Sequence, residues 1–182
     1  MDEVGYIIVK KNEVAGQNGL FYNYVLASNG LFLQANNPFF STVFCIAPVE
    51  VRGLRGIDNL LFLRHGKIPR RLYDAVFNVL SADPDKECYL AIVWDERKNS
   101  YQARYPRQIE TPGDVNYEKI PNTVMDIHSH CGKAFFSTTD NEDEQGFKLY
   151  MVIGRVDDAP EYRLRLGAYG YFHELDFEEV FE

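Results

Sequence analysis

His128 and His130 stand two residues apart in the segment Thr123-Val124-Met125-Asp126-Ile127-His128-Ser129-His130. On a strand, residues i and i+2 face the same side, with Cα atoms roughly 6.5 Å apart. Two imidazoles so placed can converge on one metal ion at about 2.0–2.1 Å. An isolated HxH pair is a weak signal, since many such pairs are loop or surface residues. The next polar cluster strengthens it. After a six-residue loop comes Ser137-Thr138-Thr139-Asp140, in which Ser137 reads as a helix N-cap and Asp140 as a residue of the first turn. One reading is a plain capping box, an acid three residues after Ser satisfying free helix N–H groups. A second, compatible reading has that helix swing Asp140 back toward the histidines as a third ligand. His128, His130 and Asp140 would leave a fourth position for water, the arrangement of catalytic zinc sites.

Hydrolysis at such a centre needs a carboxylate to take a proton from the water and hand it to the leaving group. Glu50, Glu87, Glu96 and Glu110 lie upstream. Glu87 is best placed by pattern, because it opens the apolar run Tyr89 to Trp94. A carboxylate at the mouth of a core strand needs a partner or a purpose.

The elements that must position these residues can be read from periodicity. Val4 to Lys10, Tyr22 to Ser28, Leu31 to Ala35 and Thr42 to Val51 read as strands, with Asn29-Gly30 as a hairpin turn of positive φ. A helix is expected from Pro69, with Leu72, Tyr73, Val76, Val79 and Leu80 on one face and Pro at the first helical position. Asp83-Pro84-Asp85 ends it. Glu87 to Asp95 and Ser100 to Tyr105 read as a hairpin, and Pro112-Gly113 as a turn. Thr123 to His130 reads as a buried strand and Thr138 to Gln145 as a helix start. Phe147 to Val156 and Tyr162 to Phe172 read as strands, and Leu175 to Phe181 as a short helix. The chain is thus read as α+β, with an all-β N-terminal accessory region at residues 1–62 and a metal-bearing domain at 63–182.

The 182 residues carry a formal net charge of −8, which argues against a broad phosphate-binding surface and so against nucleic acid. Three cysteines without a CxxC argue against a disulfide framework and for a reducing compartment. No secretory leader and no bilayer-length apolar run are visible, so a cytoplasmic protein without membrane contact is expected.

Glu87 before an apolar strand, His128-x-His130 and Ser137-x-x-Asp140 together resemble the JAMM motif of the JAB/MPN metalloproteases, over roughly residues 66 to 172. The stretches Asp126-Ile127-His128-Ser129-His130, Ala134-Phe135-Phe136-Ser137 and Gly146-Phe147-Lys148-Leu149-Tyr150 are most similar to the bacterial JAB-type proteins of the PRTRC plasmid and mobile-element gene system (its protein A group), in which an all-β region also precedes the JAB part. The resemblance implies a JAB/MPN-like β-sheet core flanked by helices. It implies Zn2+ held by His128, His130 and Asp140, Glu87 as general acid/base, and Ser137 helping to hold the oxyanion. It also implies a protein or peptide substrate cut at a peptide or isopeptide bond, as at the C-terminus of a ubiquitin-like protein.

Three positions depart from that pattern. The loop between His130 and Ser137 is one residue shorter than the common form, Cys131 stands where Pro often follows the second His, and the Gly usual soon after the Glu is missing. Cys131 is read as a loop residue, and Cys45 and Cys88 as small core residues. Asp126 shares the strand face of the histidines, and Asp143 lies one turn beyond Asp140. Each is read either as a hydrogen-bond partner of a ligand or as an ordinary polar residue. His65 and His173 have no ligand-like neighbours. Trp94, Phe135 and Phe136 are read as core, with Phe135 alternatively lining the cleft. The competing function is a catalytically silent MPN-type scaffold. A zinc deaminase would call for H-x-E with P-C-x-x-C, and neither occurs.

Overall fold

The computed structural model describes residues 2–182, and it divides into two compact units between Gly66 and Lys67. Strands dominate, with 48% of residues in strands and 12% in helices. The expected α+β balance therefore shifts: the chain is mostly β with a few short helices. No helix among the described residues is long and apolar enough to cross a membrane.

The first unit is a six-stranded sheet built from β1 (Val4–Val9), β2 (Val14–Gln17), β3 (Tyr22–Ala27), β4 (Gly30–Asn36), β5 (Phe40–Ala47) and β6 (Leu60–Leu63), in the order β2-β1-β3-β4-β5-β6. β1 and β3 pair in parallel and the other neighbours antiparallel. The β3–β4 turn differs from expectation. Ala27 pairs with Gly30, so Ser28 and Asn29 form the turn, and neither Asn29 nor Gly30 has a positive φ. Gly30 is demanded by space instead: a Cβ there would lie 2.9 Å from Cys45 Sγ. The Asn29 side chain pairs with the backbone of Ile57, donating to its carbonyl at 2.8 Å and accepting from its N–H at 3.1 Å.

The second unit begins with α1 (Arg70–Leu80), for which Pro69 is the N-cap rather than the first helical residue. Val76 and Leu80 are its buried residues. Then come β7 (Tyr89–Asp95), β8 (Ser100–Arg104), the ribbon β9 (Gln108–Thr111) and β10 (Asp114–Tyr117), and β11 (Thr123–His130). α2 (Thr138–Asp143), β12 (Phe147–Gly154), β13 (Glu161–Ala168), β14 (Tyr171–Glu174) and α3 (Phe177–Val180) complete it. The sheet order is β14-β13-β12-β11-β7-β8. β11 and β12 are parallel and joined through α2, while the remaining pairs are antiparallel.

β7, β11 and β12 lie in the middle of the sheet and carry continuous apolar runs, as strands covered on both faces must. Ile92, Val124, Met125, Ile127, Leu149 and Met151 are fully buried. The segment Tyr162 to Phe172, expected as one strand, is two. Tyr169 and Gly170 have φ of 53° and 87° and turn the chain back as a tight hairpin. α1 and α3 meet through Tyr73, whose ring sits edge-on to Phe177 at 4.9 Å and to Phe181 at 5.7 Å.

Candidate metal centre

β11 runs Thr123–His130, so His128 and His130 share one face at its C-terminal end. Their Nε2 atoms are 3.1 Å apart. Asp140 arrives from α2 with Oδ1 3.4 Å from His128 Nε2, and the three ligand atoms all lie within 4.8 Å of one another. Two ligands at about 2.0–2.1 Å on one tetrahedral ion are about 3.3–3.4 Å apart. The spacing therefore suits a shared ion, and this group could hold one.

Asp140 is held by a capping box. Ser137 Oγ accepts the Asp140 N–H at 3.1 Å, and Asp140 Oδ2 accepts the Ser137 N–H at 2.6 Å. Both sequence readings of this cluster hold together, because the cap uses one carboxylate oxygen and leaves the other toward His128. Burial works against the Asp140 charge, but His128, the Ser137 hydrogen bonds and His130 outweigh it and hold the carboxyl below its ordinary range. Burial, opposed by Asp140 and aided by His130 and Arg165, pushes His128 down to about 4. Burial also lowers His130, which is 7% exposed, against the opposing charge of Asp140. Neutral imidazoles are the form that binds metals, so little proton loss opposes binding near neutrality.

Glu87 lies in the extended lead-in to β7. His128 pairs with Tyr89, and the Ser129 N–H donates to the Cys88 carbonyl at 2.9 Å. Continuing that register sets Glu87 level with His130, and alternation puts its side chain on the histidine face. Burial, then the charges of Asp140 and Asp114, push the Glu87 carboxyl up to about 7. A group poised there can both take and give a proton near neutral pH. The β9–β10 ribbon flanks this edge. Thr111 O accepts the Glu87 N–H at 2.8 Å, and the Gln108 amide bonds the Tyr89 N–H at 2.8 Å and its carbonyl at 3.1 Å. Tyr117 stacks on Tyr89 with centroids 3.5 Å apart and planes 6° from parallel.

Asp126 does not orient a histidine. Its carboxylate accepts the Tyr89 hydroxyl at 2.5 Å and Lys148 Nζ at 2.9 Å. Asp143 is exposed at the end of α2. Cys131 is an exposed loop residue whose thiol donates to Pro112 O at 3.3 Å. Cys88 is buried, and Cys45 partly so.

The residues that anchor Asp140 from behind were not read from the sequence. Arg165 on β13 donates to Glu144 Oε2 through Nε at 3.0 Å and Nη2 at 2.5 Å, and to Asn141 Oδ1 at 2.6 Å. Its guanidinium lies between Phe136 and Phe172, 3.6 and 3.8 Å from their centroids. Asn141 and Glu144 follow Asp140 on the α2 segment, so Arg165 fixes that segment to the sheet. A hint was present: Leu164-Arg165-Leu166 puts a cation inside an apolar strand, where it needs a partner.

The short loop after His130 is pinned in three places. Arg155 N–H donates to Gly132 O at 2.7 Å, Ala134 N–H donates to Glu161 Oε1 at 2.9 Å, and the loop presses directly on Gly154. A Cβ at Gly154 would lie 2.2 Å from the Ala134 nitrogen. Phe135, read as core, is instead 53% exposed. Its ring stands edge-on to His130 at 4.8 Å, so it takes the alternative reading as a wall of the cleft. No protein-family model matches the chain, and no curated protein matches it.

Proposed function

We propose that the second unit is a JAB/MPN-type domain and that the chain is a zinc-dependent hydrolase of peptide or isopeptide bonds. The observation that carries this reading is the convergence of three ligand groups, with His128 Nε2 3.1 Å from His130 Nε2 and 3.4 Å from Asp140 Oδ1, and all three within 4.8 Å of one another. The succession of helix, strand entered just after Glu87, hairpin, His-bearing strand, Asp-bearing helix and strand also supports it.

His128, His130 and Asp140 would hold the ion, and an N2O set with a free position favours Zn2+ over Mg2+ or Ca2+, which take mainly oxygen. Bound there, zinc would act as a Lewis acid and lower the pKa of a water. In hydrolysis the water oxygen attacks the amide carbon, the C–N bond breaks, and the amine leaves with a proton. Glu87 takes the proton from the attacking water and returns it to the amine. Ser137 Oγ accepts the Asp140 N–H, and its hydroxyl also supports the Asp140 carboxylate; turned to the oxyanion instead, that proton would contribute a few kcal/mol at most. The substrate would be a protein or peptide, with the C-terminus of a ubiquitin-like protein as the leading class. A cytoplasmic setting accords with the three free cysteines.

Zinc analysis of the purified chain and of His128→Ala tests the centre, with near-stoichiometric metal in the first and its loss in the second as the expected result. A metal-free wild type from zinc-replete medium would overturn it. Glu87→Gln should retain the metal and lose cleavage of isopeptide-linked and peptide-fused ubiquitin-like reporters. Equal activity in that variant would remove Glu87 from the mechanism.

A further inference from the structure

Beside the candidate centre lies a cleft of about 580 Å3, and one of its walls, Phe135, stands 4.8 Å from the His130 ring. That volume is in the range of small-ligand pockets, about 300–1,000 Å3. Phe136 and Phe172 also line it, and Asn141, Arg163 and Glu174 supply its polar side.

The charges of the cleft cancel. Arg165 also lines it, but its N–H groups go to Glu144 and Asn141 and both its faces are covered by rings. It offers no free charge to a ligand. Arg163 and Glu174 are both exposed. They sit on adjacent paired strands, with Glu174 in register with Arg165. A charged ligand group attracted by one would be repelled by the other, which disfavours either sign. What remains is aromatic surface: Phe135 is 53% exposed and its ring stands beside His130. Covering such a ring with another apolar side chain is favourable.

We infer that this cleft receives the substrate side chain next to the scissile bond and selects an uncharged aromatic or large aliphatic residue there. The inference rests on the peptidase reading of the centre, since the adjacency of Phe135 to His130 is what puts the cleft beside the reacting bond. The loop bearing Phe135 is the one shortened relative to the family pattern. Its position is set by Gly154, Arg155 and Glu161 rather than by its own sequence.

The test uses the full zinc-loaded chain and a peptide set with Phe, Leu, Ala, Asp or Lys at each position flanking the cut. The expected result is that kcat/KM for Phe and Leu at one flanking position exceeds that for Ala, Asp and Lys by on the order of 10- to 100-fold. In Phe135→Ser the ratio should collapse to a few-fold. Glu174→Gln, which leaves Arg163 unopposed, should raise Asp relative to Lys. Cleavage at equal rates across the set, or an unchanged ratio in Phe135→Ser, overturns the pocket while leaving the peptidase reading intact. If nothing is cleaved, NMR titration with N-acetyl-phenylalanine amide and N-acetyl-alanine amide decides. Shifts at Phe135, Phe136 and Phe172 with the first ligand alone uphold the pocket and overturn the peptidase. Identical responses to both ligands overturn the pocket as well.

Discussion

Ser137 and Asp140 exchange hydrogen bonds in both directions, Asp140 N–H to Ser137 Oγ at 3.1 Å and Ser137 N–H to Asp140 Oδ2 at 2.6 Å. One pair thus starts a six-residue helix and aims a carboxylate oxygen at His128. Ser137→Ala should cost about 0.5–2 kcal/mol of stability and weaken zinc binding by about 10- to 100-fold, because the carboxylate loses its support. Asp140→Asn can still accept the Ser137 N–H, so its melting temperature without metal should stay closer to wild type while zinc affinity falls further. Denaturant melts and chelator competition on the two variants check the contrast. A Ser137→Ala protein with wild-type zinc affinity would separate the cap from the ligand.

Arg165 and Glu144 form a buried ion pair between β13 and the end of α2. Arg165→Met leaves Glu144 buried without its partner and should destabilise by about 3–5 kcal/mol. Adding Glu144→Leu should recover much of that loss, because two apolar groups replace a pair rather than half of one. Urea unfolding of the single and double variants reads both steps. A double variant no more stable than Arg165→Met would place the loss in the Phe136–Arg165–Phe172 stack instead.

Glu87 sets a pH dependence with a definite sign. Its carboxyl is raised from 4.5 to about 7 in the folded metal-free chain. The folded state then binds the extra proton between those values. Its contribution is present below about 4.5 and is lost as pH rises through about 7. His128 is lowered from 6.5 to about 4 and acts oppositely across the same range, adding stability as pH rises. The informative quantity is the difference between wild type and Glu87→Gln. Wild type should lose ground relative to the variant as pH rises from about 4.5 to about 7. Parallel melting curves for the two proteins would contradict the raised carboxyl.

Gly154 meets the loop 131–137 with no room for a side chain. Gly154→Ala should cost about 1–3 kcal/mol through overpacking and displace the loop next to His130. Because the clash is with Ala134 backbone, zinc affinity should fall along with stability. A zinc titration beside a thermal melt distinguishes this from a purely structural defect, in which affinity of the folded fraction would be unchanged.

The parts of the site legible in the sequence are those governed by backbone periodicity. His128 and His130 share a face because strand side chains alternate, and the strand spans Thr123–His130 as the apolar run predicts. Ser137 and Asp140 find each other because a first helical turn brings residues three apart together. These relations need only local geometry. Glu87 was legible by a weaker route, a carboxylate at the mouth of an apolar strand, and its level with His130 follows from the pairing register.

Tertiary structure alone decided the rest. Arg165 and Glu144 are 21 residues apart and meet because β12 and β13 pair and α2 folds over them. Phe135 looks like core by composition, yet it is exposed, because the loop is tied down at Gly132 and Ala134 just before it. Gly30 is fixed by the approach of Cys45 from another strand and not by its own φ. Local sequence sets which faces and turns are possible. The close approach of distant segments, with the space and partners it leaves, determines which residues line the centre, hold its ligand and shape the cleft beside it.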